Sequence, residues 1–489
     1  METNDRPALV AVSLLFWALR LLVLVQVPGT PLSQLERWSE GDMAYYHATA
    51  LRVAGGDLLL RDPPRPWHRW MEAMGTPEEW ERWVGNRQTY FMEPGYPYLL
   101  GAALALGGNR PPAWILFHQI LSYLTLLMVF HLARRAGGTA AGLAAGGLFA
   151  LYGPLMMYET VTLREPALVF ALTAVVWGSV RGRNPFVAGL AAGWCVAAKS
   201  VAVLMIPFLV LAWASRGKGP RALAALAAGT ALIPALFLAR NLAMGAPPLA
   251  LSTRGPVALY VGAAHPNAGV LADSSGMEER GLRFRTIVER DGYTARAALW
   301  GAVTSHPSPA SFALLLVKKV YYLLHRFEAW NNVNWYFFRG LVFPMAVLPG
   351  FLAVLLLALP GVRHLSAPRP LAWTSVGILA TVLAHPFLTS TLARYRQPLV
   401  PLLCVAAGLG LVRLLDTWKT GKRGTVVGWA AGVLAVGLLL SVTAPPKYRG
   451  ADFGIYTSIL QADPSLRPHP GLERLRRAWD HQEKRDAPR

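Results

Sequence analysis

The sequence predicts an all-α protein that crosses a membrane about 11 times. Of its 489 residues, 54% are hydrophobic and only 15% are charged, which is more apolar than an ordinary soluble protein. Several apolar runs reach the roughly 20 residues that a helix needs to cross about 30 Å of hydrocarbon. These runs are continuous rather than alternating, which favours helices over the strands of a membrane barrel. The clearest runs are Ala8–Val27, Trp114–Leu132, Gly340–Leu359 and Thr425–Thr443.

The distribution of charge argues against a nucleic-acid-binding protein, although the formal net charge is +20. The basic residues stand in short clusters between apolar runs, which is the pattern of cytoplasmic loops in membrane proteins. The run Ala8–Val27 has no small-residue cleavage pattern after it, so we interpret it as an uncleaved first span. Cys195 and Cys404 lie inside apolar runs, where a thiol behaves as a buried hydrophobe. A disulfide or thiolate metal site is therefore not expected.

The short basic connectors fix a topology, because lysine and arginine are enriched in cytoplasmic loops. With these connectors inside, the N-terminus is cytoplasmic and the C-terminus is outside. The connectors are Arg134-Arg135, Arg181–Arg183, Arg216–Arg221, Arg363–Arg369 and Lys419–Arg423.

With this topology, three apolar segments cannot each be a single membrane-spanning helix. Pro94–Gly108 is too short to cross, and we predict a re-entrant or interfacial helix. Pro309–Phe327 has Lys318 and Lys319 in its middle, where each charge costs about 2.5 kcal/mol or more at the bilayer centre, so it is predicted to be interfacial. Pro185–Trp213 must split into two short helices that meet near Lys199-Ser200.

The chain is predicted to form a membrane domain over residues 1–444 and a tail over residues 445–489. Two long loops lie outside, at residues 28–110 and 241–339. Within the first, Thr76-Pro77-Glu78-Glu79 has the form of a helix capping box, and the tryptophans at positions 67, 70, 80 and 83 suggest helices at headgroup level. The tail does not fit the charge rule, since the scheme places five basic residues outside: Lys447, Arg449, Arg474, Arg476 and Arg477.

Asp42 is the first candidate for chemistry. It lies in the segment Ser39–Tyr46, soon after the first span and just before a short predicted helix at His47–Gly55. A carboxylate at a membrane surface can deprotonate an acceptor hydroxyl or hold a divalent cation. The alternative is that Asp42 only caps the helix that follows.

A second group comprises Glu159, Arg164 and Glu165, in a turn that the charge rule places outside. Two acids and one arginine can form a metal-and-phosphate site or a solvated loop. Glu165 precedes a proline, which suits a helix N-terminus. Glu159 lies beside Tyr158 and has no such simple structural explanation.

A third group is basic and contains Lys199, Arg240, Arg394 and Arg396. A phosphate leaving group needs fixed cations, and arginine offers two donors in one plane. The alternative is that these side chains only reach out to lipid headgroups. Arg20 is a further charge within a span, and both an internal salt bridge and a substrate contact would explain it.

With these residues identified, the chain resembles the family 39 glycosyltransferases of bacteria, which are related to the protein O-mannosyltransferases and to the enzyme that adds aminoarabinose to lipid A. The resemblance extends from the first span to about Leu415. It rests on the order and spacing of short motifs: Gly41-Asp42 with Tyr45-Tyr46, Glu93-Pro94-Gly95-Tyr96-Pro97, Tyr152-Gly153-Pro154 with Glu159, Arg240-Asn241, Leu251-Ser252-Thr253, Tyr260-Val261-Gly262, Asn267-Ala268-Gly269, Glu328 with Asn331-Asn332, and Arg394-Tyr395-Arg396.

The resemblance implies a fold of the GT-C type and a polyprenyl-phosphate-linked sugar as donor. Asp42 would act as general base or orient the acceptor, and Glu159 would be the second catalytic acid. The substrate-binding residues would be Tyr45, Tyr46, Tyr96, Glu165, Lys199, Arg240, Arg394, Tyr395 and Arg396. No certain cofactor is implied, and a divalent cation is compatible with the acids.

The sequence also departs from the family pattern. Gly41 separates Glu40 and Asp42, where the mannosyltransferases have paired acids. Tyr260–Ala264 replaces a usual Tyr-Ile-Gly-Asn-Asn, and Lys199 stands where many relatives have arginine. The first two changes concern contacts with the acceptor or donor, so the details of recognition do not follow from the resemblance.

The predicted function is transfer of a hexosyl or pentosyl group, with inversion, from polyprenyl phosphate to a hydroxyl of a lipid, glycan or protein. The predicted location is the inner membrane, with many spans and an extracytoplasmic active site that also meets membrane lipids. A transporter or flippase for a lipid-linked sugar is the alternative. Transporters place polar residues at the midplane and have repeated halves, whereas here the acids and arginines gather at one surface.

Overall fold

The protein is all-α, as predicted. The computed structural model describes residues 5–65, 67–72, 74–84, 88–245, 249–267, 269–270, 277–442 and 450–486. Within these ranges the regular structure is helical, and the one β-type contact is an isolated bridge between Val270 and Thr391. Ala268 and the tail residues Lys447 and Arg449 lie outside the described residues.

The first 22-residue helix is followed by shorter helices in the first loop. These are α1 (Asp5–Gln26), α2 (Asp42–Ala54), α3 (Arg69–Glu72), α4 (Pro77–Val84) and α5 (Gly95–Gly107). The capping box is confirmed, because the Thr76 N–H donates to Glu79 and the Glu79 N–H donates back to the Thr76 hydroxyl, at 2.8 and 3.3 Å. Helix α5 has 13 residues, about 20 Å at 1.5 Å per residue, and packs against α2.

The next six helices are α6 (Pro111–Ala150), α7 (Gly153–Tyr158), α8 (Glu165–Arg181), α9 (Pro185–Ala198), α10 (Ile206–Ala214) and α11 (Pro220–Ala243). Helix α6 is kinked at Gly137 and Gly138, where Gly138 has φ +80°, directly after the predicted connector Arg134-Arg135. The predicted break near Lys199-Ser200 is also present. Helix α9 ends at Ala198, and a 3₁₀ helix over Ser200–Met205 leads into α10.

The second loop contains α12 (Gly255–Ala263), α13 (Met277–Asp291), α14 (Ala295–Thr304), α15 (Pro309–Leu324) and α16 (Trp335–Leu341). Lys319 of α15 is fully buried, and its ammonium donates to the carbonyls of Pro386 and Thr389 at 2.8 and 3.0 Å. The two lysines thus differ, because Lys318 is exposed. The interfacial placement of this helix remains a prediction.

The remaining helices are α17 (Phe351–Ala358), α18 (Arg369–Leu388), α19 (Val400–Lys419), α20 (Arg423–Leu439), α21 (Gly450–Ala462) and α22 (Leu472–Asp486). The predicted continuous span at Gly340–Leu359 is wrong. Helix α16 ends at Leu341 and α17 begins only at Phe351. Pro344 and Pro349 lie between them, and a proline lacks the N–H that an α-helix needs.

The chain is a multi-pass membrane protein. Among its described residues, five helical stretches are long and apolar enough to cross a membrane: Asp5–Gln26, Pro111–Leu151, Pro220–Ala243, Arg369–Leu388 and Ala393–Lys419. Shorter apolar helical stretches cover Pro185–Ala198, Ser200–Ala214, Phe351–Ser366 and Arg423–Leu439. The number of 11 spans and the predicted orientation remain predictions.

The tail helices α21 and α22 pack against the two loops. Asn334 donates to the Asp452 carboxylate at 2.7 Å, Arg37 pairs with Asp463 at 2.9 Å, and the Arg467 N–H donates to the Gly29 carbonyl at 3.0 Å. Phe453 and Tyr456 also enter the hydrophobic core formed by the loop helices. The tail is therefore an ordered part of the loop layer, and the boundary at residue 445 remains a prediction.

Glycines allow α9 and α11 to pack with their backbones in contact. A Cβ on Gly189 would meet the Leu226 carbonyl oxygen, one on Gly229 would meet the Phe186 carbonyl oxygen, and one on Gly193 would lie 2.5 Å from the Thr230 carbonyl oxygen. Small residues at such positions are typical of close helix pairs in membranes. The pair α9 and α11 therefore depends on the absence of side chains at these positions.

We expect Gly229→Ala to lower the unfolding midpoint of the detergent-solubilised protein, because overpacking against a backbone costs about 1–3 kcal/mol. The control is Gly432→Ala in α20, where an added Cβ meets no atom within 4 Å of the described residues. Alanine favours helix there, so the control midpoint stays equal or rises slightly. Equal midpoints for the two variants would contradict the close packing.

Candidate active site

A cavity of about 590 Å³, lined by charged and apolar side chains, lies where the two loops meet the ends of the membrane helices. The first loop, the α9–α10 break, the second loop and the segment before α19 all contribute to its wall. Its charged lining residues are Glu40, Asp42, Glu93, Arg164, Lys199, Arg254 and Arg394. Segments up to 352 residues apart in sequence are thus brought together, and acids and cations share one chamber.

Asp42 is the first residue of α2, and it is only 2% exposed. One carboxylate oxygen accepts from Arg254 at 3.1 Å, and the other accepts from Arg394 at 2.9 Å. Asn332 donates to the carboxylate at 2.8 Å, and its own carbonyl accepts from the Asp42 N–H at 3.0 Å. The N-cap residue of α2 is Gly41, and the Asp42 carboxylate is engaged by Arg254, Arg394 and Asn332, so Asp42 does not have the capping role that was the structural alternative.

The charges around Asp42 keep it ionised. Burial alone would raise its pKa, but Arg254, Arg394 and the nearby His68 hold the pKa well below its ordinary value of 3.8. A carboxylate of this kind is a weak proton acceptor at neutral pH, since a general base works best with a pKa near the operating pH. The geometry favours orientation of a hydroxyl, or of cations, over proton abstraction.

Glu93 joins the start of α8 to the α9–α10 break. Its carboxylate accepts from Arg164 at 2.9 Å and from the Ser200 hydroxyl at 3.0 Å. Arg164 also donates to the Ala198 carbonyl at 2.8 Å, which closes the end of α9. Although burial opposes ionisation, the charges of Arg164 and Lys199 lower the pKa of Glu93. This pair positions Lys199 at the cavity wall.

Lys199 and Arg394 retain unused donors in the cavity. The Lys199 ammonium lies 5.0 Å from the Tyr395 ring centre, and the described residues offer it no ion pair. Arg394 is 5% exposed, and its Nε and Nη1 have no hydrogen-bond partner among the described residues. The His385 ring stacks on Tyr395 with 4.5 Å between ring centres. These groups together form a cationic wall that is suited to a phosphate.

Glu159 does not line the cavity. Its carboxylate accepts from Arg20 Nη2 and Nε at 3.0 and 3.1 Å, and both side chains are fully buried. Arg20 also donates to the Ala150 carbonyl and lies 3.9 Å from the centre of the Phe16 ring. The pair therefore joins α1 to the segment that precedes α8, and Arg20 forms the internal salt bridge that the sequence left open.

Arg240 and Arg396 are likewise directed away from the cavity. Arg240 donates to the carbonyls of Leu59, Leu60 and Gln88, so its guanidinium fixes the first-loop backbone. Arg396 pairs with Glu328 at 2.7 Å and donates to carbonyls at the end of α15. The structure therefore does not bring Glu159, Arg240 and Arg396 into the cavity with Asp42, because each is engaged elsewhere.

The predicted aromatic ligands of the first loop lie in the core behind the cavity, whereas Tyr395 lines it. The Tyr45 hydroxyl donates to the Met92 carbonyl at 3.4 Å, and the Tyr96 hydroxyl lies 3.1 Å from His118 Nε2. Tyr46 packs edge-on to Tyr96, with 5.2 Å between ring centres. Glu165 is the first residue of α8 and lies 3.9 Å from Arg394 Nε. These side chains support the site from behind rather than line it.

The sequence reasoning missed Arg254 and Asn332 as site residues. Both lie next to or within quoted motifs: Arg254 directly follows Leu251-Ser252-Thr253, and Asn332 ends Asn331-Asn332. Glu93 was part of a motif without an assigned role, whereas Arg164 belonged to the second group of candidate residues. Arg254 could have been identified from its position, because it is an arginine in a loop that is predicted to lie outside, where lysine and arginine are usually depleted. Within the described ranges, no three His, Cys, Asp or Glu side chains form a metal-binding group.

We expect Glu159→Gln to destabilise the protein by about 3–5 kcal/mol, because it leaves the buried Arg20 charge without its partner. The readout is the unfolding midpoint in detergent. The double variant Arg20→Met with Glu159→Leu replaces the pair by apolar groups and should recover most of the loss. If the double variant folds but has no catalytic activity, Glu159 takes part in catalysis and its role is not only structural.

No protein-family model matches the chain, and no curated protein matches it. Among solved structures it is similar to the oligosaccharyltransferase of Archaeoglobus fulgidus in its apo form, with a TM-score of 0.44 and 14% identity over 96% of this chain and 61% of that chain. It is also similar to ArnT from Cupriavidus metallidurans bound to undecaprenyl phosphate, with a TM-score of 0.36 and 17% identity over 94% and 70% of the two chains. The chain thus spans about three fifths of the oligosaccharyltransferase. Both TM-scores are below 0.5, so these matches alone assign no substrate or activity to this chain.

Proposed function

We propose that the chain is a membrane glycosyltransferase that moves a sugar from a polyprenyl-phosphate-linked donor to an acceptor hydroxyl. The observation that supports this most is the single cavity in which ionised Asp42 faces Lys199, Arg254 and Arg394. Glycosyl transfer from a phosphate needs an acceptor-binding group and fixed cations near one anomeric carbon. The motif resemblance to family 39 glycosyltransferases agrees with this assignment.

The donor phosphate binds at Lys199 and Arg394 in this proposal. Nη1 and Nε of Arg394 form no hydrogen bond with a described residue, although Nε lies 3.9 Å from Glu165, so these groups and the ammonium of Lys199 supply donors without breaking an existing hydrogen bond. Tyr395 lies beside both cations and limits where they can point. As the bond from the anomeric carbon to the phosphate oxygen breaks, negative charge grows on the phosphate. The same cations then bind more strongly, which lowers the barrier.

Asp42 orients the acceptor hydroxyl. That oxygen attacks the anomeric carbon from the face opposite the phosphate, so the configuration inverts. Because the pKa of Asp42 is held so low, the hydroxyl proton passes to a better acceptor than Asp42. The departing polyprenyl phosphate is one, because a phosphate monoester has a second pKa near about 6. Asp42 acts by accepting a hydrogen bond and by fixing Arg254 and Arg394.

The proposed location is the inner membrane, with the cavity on the extracytoplasmic side. Residues of both long loops line the cavity, and the basic connectors Arg134-Arg135 and Arg216–Arg221 belong to other turns of the chain. This arrangement agrees with the enrichment of lysine and arginine in cytoplasmic loops, because these basic connectors are then on the cytoplasmic side. A donor that arrives through the membrane also explains why the cavity adjoins the ends of helices and not a separate nucleotide-binding domain.

A transfer assay with radiolabelled polyprenyl-phosphate sugars tests the reaction class. We expect the purified protein in detergent to release label from the lipid into an acceptor fraction from the cell envelope. Parallel reactions with a chelator show whether a divalent cation contributes. A flippase would leave the labelled lipid chemically intact, and that result across a panel of hexosyl and pentosyl donors would contradict the proposal.

In this assay we expect Asp42→Asn to lower the transfer rate by about 100-fold or more, because the neutral amide no longer fixes two arginines or accepts from the hydroxyl in the same way. The control is Asp416→Asn, which removes the same charge from an exposed position on α19. Rates are compared per folded molecule, with the unfolding midpoint measured for each variant. A folded Asp42→Asn protein with the control's activity would remove Asp42 from the mechanism.

A further inference from the structure

A second cavity, of about 490 Å³, lies between the end of α1 and the C-terminal tail. Val25, Gln26 and Thr30 form one side, and the tail segment 467–471 with Arg474 forms the other. It shares no lining residue with the candidate active site. The tail therefore builds a chamber of its own against the first membrane helix.

The polar groups of this second cavity are cationic. Arg467 and Arg474 line it, and neither forms an ion pair with a described residue. Among the described residues no acid lines the cavity. The nearest acids in sequence are the exposed Glu473 and the half-buried Asp463, which pairs with Arg37 at 2.9 Å. Two arginines without acidic partners in one concave site are suited to an oxyanion, which planar guanidinium groups bind through paired hydrogen bonds.

His469 adds a buried donor to the same wall. It is 8% exposed, and its Nδ1 accepts a hydrogen bond from the Gly471 N–H at 3.1 Å. In the neutral ring, the proton is then on Nε2, which makes no hydrogen bond to a described residue. Burial lowers the pKa of His469, and the nearby charges of Arg474 and Arg467 lower it further.

The segment that presents these groups is held in place. The Arg467 N–H donates to the Gly29 carbonyl at 3.0 Å, and the His469 N–H donates to the Tyr456 hydroxyl at 2.7 Å. Pro468 and Pro470 restrict the backbone on both sides of His469. Gly471 precedes the N-terminus of the 15-residue helix α22, whose dipole adds positive potential at the cavity. The site therefore needs little reorganisation to bind an anion.

The position of the cavity indicates where the anion comes from. Helix α1 ends at Gln26, and Val25 beside it is 73% exposed on a helix that is apolar enough to span the membrane. The cavity thus opens at the level where the hydrocarbon ends and lipid headgroups begin. We propose that Arg467, His469 and Arg474 bind the phosphate of an anionic lipid headgroup and fix the tail to the membrane boundary. This proposal also explains why tail arginines occupy the side that the charge rule should deplete.

Native mass spectrometry of the full chain in detergent tests the proposal, with phosphatidylglycerol as the lipid probe and phosphatidylcholine as the neutral comparison. We expect the double variant Arg467→Gln with Arg474→Gln to retain at least about tenfold less phosphatidylglycerol than the native chain, because two charge-assisted contacts are lost. The matched control is Arg476→Gln with Arg477→Gln, which removes the same charge from exposed positions on the same helix. This control should bind the lipid like the native protein.

A second arm separates a lipid headgroup from a free ion. Inorganic phosphate and glycerol phosphate are titrated while the unfolding midpoint is recorded. Saturable stabilisation by phosphate that is lost in Arg467→Gln with Arg474→Gln, without any lipid preference, would assign the cavity to a soluble anion and overturn the lipid proposal. Equal lipid retention by both double variants would also overturn it, since binding of phosphatidylglycerol would then depend only on the net charge of the protein. Both substitutions are on exposed side chains, so folding is preserved.

Discussion

The buried carboxylate of Asp42 is the constraint on which the candidate site depends. A carboxylate that is 2% exposed loses its hydration, and this costs several kcal/mol unless partners replace the lost water. Arg254 from the second loop, Arg394 before α19 and Asn332 after α15 supply those partners. The charge can be buried only when all three segments have reached the first loop. Assembly of the loop layer and formation of the site are therefore one event.

The hydrogen bonds to Asp42 give Arg254 and Arg394 different roles in the site. Arg254 is engaged with Asp42 through Nη1, whereas Arg394 uses only Nη2 for Asp42 and leaves Nε and Nη1 without hydrogen bonds. One arginine thus fixes the carboxylate, and the other connects it to the cavity. Glu93 and Arg164 form a second pair that closes α9 and presents Lys199. Because both acids are neutralised by neighbours, Lys199 and Arg394 are left with donors that a bound anion can use.

Sequence reasoning predicted the architecture better than the site. Composition correctly predicted helices, the placement of the basic connectors predicted the break at Lys199-Ser200, and the local motif Thr76-Pro77-Glu78-Glu79 predicted the capping box. Arg240, Arg254, Arg394 and Arg396 all look alike to such reasoning, because each is an arginine at the edge of an apolar run. Only long-range packing decides that Arg394 faces the cavity and that Arg396, two residues later, pairs with Glu328. Glu159 was misassigned for the same reason, as its partner Arg20 is 139 residues away.

The charge balance of the cavity connects the geometry to the proposed reaction. Its lining has the three acids Glu40, Asp42 and Glu93 and the four cations Arg164, Lys199, Arg254 and Arg394. Glu165, behind the wall, lies 3.9 Å from Arg394 Nε, so acids and cations are equal in number when the histidines are neutral. A sugar phosphodiester carries one negative charge, which the donors of Lys199 and Arg394 would bind. When the sugar leaves, the phosphate becomes a monoester, whose charge approaches −2 at neutral pH unless it takes up the hydroxyl proton. A site without surplus positive charge disfavours a dianion and therefore favours protonation of the departing monoester, which is the proton transfer that Asp42, with its low pKa, does not perform.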